Sequence, residues 1–200
     1  MNSHTIIIAE AGVNHNGDTA LALELVDRAA AAGADFVKFQ TFTAAKLASK
    51  AVSKADYQKV TTATEESQFE MLSRLELSHE AHRALIDRCA EKGVAFLSTA
   101  FDLDSLGFLA GDLGLKTLKL GSGELTNAPI LLAAARSGMR LFVSTGMGSL
   151  AEVEEALGVI AFGLIRQGEP SGRADFSEVL LEPAAWAALQ AMGEEGYCRL

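Results

Sequence analysis

The sequence predicts an α/β protein built as an incomplete (β/α)8 barrel, with about five strand–helix units present. Short β-branched apolar runs alternate with segments of helical periodicity from about residue 5 to residue 165. Nearly every one of those runs also ends in a polar or glycine-rich cluster. Strand followed by helix, repeated, implies right-handed parallel crossovers.

Residues 5–9 (TIIIA) read as a buried strand. Asp18 or Thr19 caps the next segment, where Ala22, Leu25, Val26, Ala29 and Ala30 recur at helical spacing until Gly33. Residues 35–39 (DFVKF) form the second predicted strand, and a long lysine-rich loop runs from Gln40 to Glu66. Helical patterns follow over 67–75 and 78–92, the second capped by Ser78 and closed by Gly93. Residues 94–98 are the third predicted strand and 103–113 a helix. Residues 116–120 are the fourth strand, and Pro129 opens a helix ending near Gly138. Residues 140–144 are the fifth strand, before Leu150, Val153, Leu157, Ile160, Ala161 and Leu164 on one helix face.

From Gly168 the pattern turns loop-like (GEPSGRADFSE), with a short helix over 183–190 and no sixth strand in the last residues. The chain therefore divides into residues 1–165, the five βα units, and 166–200, an irregular, insertion-like tail that does not complete the barrel.

An open doubly wound sheet and a closed barrel both fit strand–helix alternation. A doubly wound sheet gathers its site at one switch point, whereas a barrel of the TIM type collects it from many strand ends. Here AEAGVNHNG, VKFQT, LSTAF, LKLGSGE and VSTGM follow the five strands in turn, which favours the barrel. A complete barrel takes roughly 250 residues. Five units are expected to leave two strand edges and part of the apolar interior uncovered, and so to self-associate as a homo-oligomer.

Composition narrows the function. Apolar residues make up 49% of the chain but occur in short runs, so no membrane span is expected. The first residues lack the pattern of a secretory signal. Cys89 shares a helix face with Leu85 and Ile86 and is expected to be a buried free thiol; with Cys198 far away, the usage fits a reducing cytoplasm. A net charge of −9 argues against a nucleic-acid partner. An anionic substrate would need locally placed lysines or backbone donors.

Lys38 and Gln40 alternate with Val37 and Phe39, and Lys119 sits between Leu118 and Leu120 ahead of Gly121–Ser122–Gly123–Glu124. A lysine in a buried strand is costly unless it meets an anion. That anion is either a ligand or a carboxylate such as Glu10 or Glu124. Glu10, directly after an apolar strand, is a candidate for the same reason. Thr99, Ser122 and Ser144 put small hydroxyls at three strand ends, suited to phosphate oxygens. Asn16 and Gly17 read as turn residues, and His15 as a structural or substrate-contacting residue. His4, His79 and His82 are expected at the surface, and no His/Asp/Glu trio has the spacing of a metal site.

The segments IIAEAGVNHNGD, GADFVKFQTF, FLSTAFD, LKLGSGELTN and VSTGM, in this order over about residues 5–165, resemble the N-acetylneuraminate (sialic acid) synthase family, N-terminal barrel domain. The enzymes that make legionaminic and pseudaminic acids share the pattern. The resemblance implies a transferase that condenses phosphoenolpyruvate with an N-acetylated aldose of the N-acetylmannosamine type, giving a nonulosonic acid and phosphate. It places Lys38, Thr99, Lys119, Ser122 and Ser144 on phosphoenolpyruvate, Glu10 and Glu124 in catalysis, and Gln40 and Tyr57 on the sugar. The Gln40–Glu66 loop, with Lys46, Lys50, Lys54 and Tyr57, would close over that sugar.

The resemblance also implies a divalent metal, Mn2+ or Mg2+, whose histidine ligands lie beyond the fifth strand of the family. No leucine–histidine–cysteine–threonine motif occurs here, and no C-terminal antifreeze-like domain follows. Ala100 stands where the family usually has proline. The expectation is a truncated chain, with a catalytically inactive remnant that retains phosphoenolpyruvate binding as the alternative. A related enzyme acting on a sugar phosphate would need a further cationic pocket, which the sequence does not display.

Overall fold

The computed structural model describes residues 5–48 and 67–194. Strands β1 (Ile8–Gly12), β2 (Phe36–Thr41), β3 (Ala95–Ala100), β4 (Thr117–Leu120) and β5 (Arg140–Val143) form one open sheet in chain order. The pairs β1–β2, β3–β4 and β4–β5 are parallel. A doubly wound sheet reverses its strand order at the switch point. This order has no reversal, so it is the progression of a barrel, carried here through five strands.

The first three strands run past the apolar stretches that announce them. Ladder hydrogen bonds are made by backbone, and they continue through polar side chains. Glu10 and Gln40 accordingly lie within strands β1 and β2 and Thr99 within β3, not in the loops beyond.

The chain divides into two compact units, Met1–Ser98 and Thr99–Leu200. The first holds helices α1 (Thr19–Ala31), α2 (Ala44–Leu47), α3 (Gln68–Leu75) and α4 (His79–Lys92). Its core joins Ala22 and Val26 of α1 and Leu85 and Cys89 of α4 to Val37 and Phe39 of β2. Burial alternates along β2, with Val37, Phe39 and Thr41 buried and Phe36, Lys38 and Gln40 half-buried. That period of two turns Lys38 and Gln40 away from the helix layer.

The helix ends follow the residues that predict them. Asp18 accepts from the backbone N–H groups of Ala20 and Leu21 at the start of α1. Ser78 caps α4, and Gly93 ends it at φ 69°. The Arg88 guanidinium donates to both carboxylate oxygens of Asp27, at 2.7 and 2.6 Å, tying α4 to α1. Cys89 is buried as expected, and burial pushes its thiol up to about 12, far from the range of a reactive thiolate.

The second unit contains α5 (Leu103–Gly107), a π-helix (Phe108–Asp112), a 3-10 turn (Ser122–Glu124), α6 (Ala128–Arg136), α7 (Leu150–Ile165), α8 (Ala174–Val179) and α9 (Pro183–Glu194). The single helix predicted over 103–113 changes its hydrogen bonding half-way, and Leu113 N–H reaches the Phe108 carbonyl at 3.0 Å. Leu118, Leu120 and Leu141 of the strands are buried with Ile130 and Leu131 of α6 and Ile160 of α7.

The tail from residue 166, expected to be irregular apart from a short helix over 183–190, carries α8 as well as α9. Phe176, Val179, Leu180, Ala185 and Leu189 pack with Ala161 and Phe162 of α7. Phe176 meets Phe162 edge-on, ring centroids 5.5 Å apart. The Gly/Pro/Ser run just before it masks this apolar spacing in the sequence. Gly158 permits the close approach, because a Cβ there would lie 2.4 Å from the Phe176 carbonyl oxygen. Among the described residues no helix is long and apolar enough to cross a membrane.

Candidate functional site

In the first unit, parallel pairing sets Glu10 of β1 opposite Lys38 of β2. The Lys38 ammonium lies 2.6 Å from the Glu10 carboxylate. Of the two partners open to Lys38 from sequence, the structure supplies the carboxylate. A register irregularity between Glu10 and Gly12 bends the end of β1, and Gly12 has φ 55°. A Cβ on Gly12 would lie 3.0 Å from Glu10 Oε1 and 3.7 Å from Gln40 Nε2. The functional ends of Glu10 and Gln40 thus border the same space above Gly12. Carboxylate, ammonium and amide together suit a ligand that carries both an anion and hydroxyls.

The turn after β1 is built around His15, which is buried. Gly17 N–H donates to His15 Nδ1 at 2.9 Å, so the ring proton sits on Nε2. That buried Nε2 has no hydrogen-bond partner among the described residues. Burial, reinforced by His82, holds His15 below the ordinary histidine range. Gly17 has φ 80°, and a Cβ there would lie 2.1 Å from the Arg74 carbonyl oxygen, so the position admits only glycine.

In the second unit, Thr99 of β3 is the register partner of Lys119 of β4. The Lys119 ammonium donates to Ser144 Oγ at 2.6 Å and to the Leu120 carbonyl at 2.7 Å. Ser122 lies in the 3-10 turn, and a Cβ on Gly146 would approach its Oγ to 3.9 Å. Thr99, Lys119 and Ser144 therefore adjoin at the ends of β3, β4 and β5. Glu124 accepts from Asn127 Nδ2 at 2.6 Å, and Asn127 caps α6. Tyr57, Lys50 and Lys54 lie outside the described residues.

His82, expected at the surface, is buried. It sits three residues before Leu85 and seven before Cys89, on the apolar stripe of α4, and that spacing was the available signal. Thr41 and Ser98, its partners, are buried hydroxyls that sequence reasoning passed over.

Among the described residues no group of three or more His, Cys, Asp or Glu side chains is placed to hold a metal ion. These residues do not fit the divalent cation that the resemblance implies.

A model of the NeuB family matches residues 25–179. The chain belongs to the NeuB family. This NeuB-family chain is 52% identical over 156 residues to the N,N'-diacetyllegionaminic acid synthase of Campylobacter jejuni, covering 78% of this chain and 46% of that protein. The synthase of the same name from Legionella pneumophila is 51% identical over 154 residues, covering 77% of this chain and 43% of that protein. Among solved structures, the N-acetylneuraminic acid synthetase of Leptospira borgpetersenii superposes with a TM-score of 0.70 at 30% identity, covering 81% of this chain and 52% of that one. The chain thus spans about half the length of the relatives it matches.

Proposed function

We propose that this NeuB-family chain carries the phosphoenolpyruvate-binding part of a nonulosonic acid synthase. The observation that carries the reading is the pair of half-buried lysines on strands, Lys38 and Lys119, each held by an oxygen that an anionic ligand can replace. Lys119 with Thr99, Ser122 and Ser144 would bind phosphate and carboxylate through charge-assisted hydrogen bonds. In the first unit, Lys38 would meet an anionic group, and Gln40 with Glu10 would address the sugar hydroxyls.

In the reaction, C3 of phosphoenolpyruvate attacks the aldehyde carbon of the aldose and a C–C bond forms. The electron pair of the enol double bond supplies that bond, leaving C2 cationic. The aldehyde C=O π pair goes to its oxygen, which becomes a hydroxyl by taking the proton released as water adds at C2. The new C2 hydroxyl then gives its proton to the departing phosphate as the C2–O bond to phosphate breaks, leaving a ketone. Glu10 and Glu124 would stabilise the developing positive charge electrostatically. The roles proposed for these residues are binding, orientation and electrostatic stabilisation.

The substrate is an N-acetylated six-carbon aldose. Since the relatives above 50% identity are named for an N,N'-diacetyl product, we infer a diacetamido sugar ahead of N-acetylmannosamine. We infer a cytoplasmic protein, since such substrates are soluble metabolites, and a homo-oligomer would cover the open strand edges.

Thermal unfolding with and without phosphoenolpyruvate tests the binding half of the reading. At 100-fold excess over the dissociation constant, stabilisation of about 2.7 kcal/mol is expected. Phosphate release with Mn2+ and each sugar then tests turnover. A transition indifferent to phosphoenolpyruvate overturns the reading, and binding without turnover favours a chain that only retains the ligand.

A further inference from the structure

Next to Lys38 and Gln40 in the first unit lies a buried chain of hydrogen bonds that the proposed chemistry does not use. His82 Nδ1 lies 2.9 Å from the Ser78 carbonyl. A carbonyl only accepts, so Nδ1 carries the proton and the neutral ring presents Nε2 as an acceptor. Thr41 Oγ1 lies 2.8 Å from that Nε2 and donates its single proton there. Ser98 Oγ, 2.7 Å from Thr41 Oγ1, must then be the donor to threonine. The direction of every bond from Ser98 through Thr41 and His82 to α4 follows from one carbonyl.

All three side chains are buried. Thr41 lies on the face of β2 that packs against the helices, and its chain neighbour Gln40 lies on the opposite face, with Lys38. The hydroxyl that anchors the end of β2 is therefore one residue from a proposed sugar contact. Apolar side chains at these positions would fill the same space without fixing the strand end in one rotational setting.

We propose that His82, Thr41 and Ser98 are positioning residues, a directional relay that pins the end of β2 to β3 and α4 and so sets the placement of Gln40 and Lys38. Its functional consequence rests on the reading of the site given above. Phosphoenolpyruvate binds without contact to the relay, and the relay acts by holding the lysine and amide where they are.

The test compares Thr41→Val with Thr41→Ser in the full chain. Valine keeps the shape and removes the hydroxyl; serine keeps the hydroxyl. Thr41→Val is expected to raise the dissociation constant of phosphoenolpyruvate about tenfold, the scale of one buried hydrogen bond, and Thr41→Ser to restore it. In 15N-resolved spectra, Thr41→Val should move the Gln40 side-chain amide, the Lys38 ammonium and the His82 ring nitrogens, with Thr41→Ser close to the parent. Should Thr41→Val fail to fold, Ser98→Ala, which removes the outermost donor with little change of volume, gives the same comparison. If the parent chain does not bind phosphoenolpyruvate, the functional reading fails while the spectra still decide the relay. Gln40 and Lys38 resonances unmoved in Thr41→Val, or moved equally in Thr41→Ser, overturn it.

Discussion

Lys38 is the buried member of the ion pair it forms with Glu10: its side chain is 12% exposed against 53% for the glutamate, with 2.6 Å between ammonium and carboxylate. The pair is therefore asymmetric. The lysine depends on a counter-charge, and the glutamate can swing into solvent at little cost. An incoming anion would compete with Glu10 for Lys38 and release the carboxylate to a second ligand.

Glu10→Gln removes the competitor and leaves the lysine in place. Phosphoenolpyruvate affinity is expected to rise about fivefold by titration calorimetry, the scale of one partly exposed ion pair. Lys38→Met is expected to weaken binding at least about 30-fold. Weaker binding in Glu10→Gln would mean that the carboxylate assists the anion site instead of competing with it.

Gly12→Ala places a methyl group in a left-handed backbone position, at φ 55°, and 3.0 Å from Glu10 Oε1. The conformational cost is about 1–2 kcal/mol, and the Glu10 carboxylate must shift away. Denaturant unfolding should show that loss of stability, with weaker sugar binding beside it. An unchanged midpoint would place the backbone of Gly12 elsewhere.

Gly158→Ala tests the packing of the tail. Its Cβ would meet the Phe176 carbonyl oxygen at 2.4 Å, a rigid backbone atom, so α8 must move off α7. A loss on the order of 1–3 kcal/mol is expected, lowering Tm by about 2–4 °C per kcal/mol. An unchanged Tm would show that α8 is not seated on α7.

Acid should destabilise the chain before its carboxylates titrate. His15 lies below the ordinary range through burial and the nearby His82, and His82 through burial and His79, opposed by the Ser78 carbonyl. The folded state then binds fewer protons than the unfolded one, so stability is present above about pH 6.5 and falls as pH drops through that value. Asp27, Glu80 and Glu152 are held below the usual carboxylate range, so their contribution is lost only at lower pH. Calorimetry between about pH 7.5 and about pH 5 should show Tm falling with pH, with a shallower slope in His82→Gln. A flat profile would remove both histidines from the linkage.

The strand–helix alternation, the capping by Asp18 and Ser78, and the buried thiol of Cys89 were legible in the sequence because each rests on local pattern. So were Lys38 and Lys119, since a cation between apolar neighbours on a strand stands out wherever the chain goes. His82 was misplaced because its polar ring outweighed its place on the stripe of Leu85 and Cys89, where Thr41 and the Ser78 carbonyl satisfy its nitrogens. The helix over Ala174–Val179 was hidden by a Gly/Pro/Ser run, which local composition scores as loop although Phe176 and Val179 find a buried surface on α7.

Sequence alone determined the order of the five strands, the barrel-type class and the residue types at each strand end, because periodicity and side-chain chemistry are properties of neighbours in the chain. Tertiary structure decided which oxygen each lysine meets: Glu10 for Lys38, and Ser144 with the Leu120 carbonyl for Lys119. It also decided the direction of the Ser98–Thr41–His82 bonds. Those outcomes depend on strand register and helix packing, which join residues 28, 25, 41 and 57 positions apart. No local pattern encodes a contact over such distances.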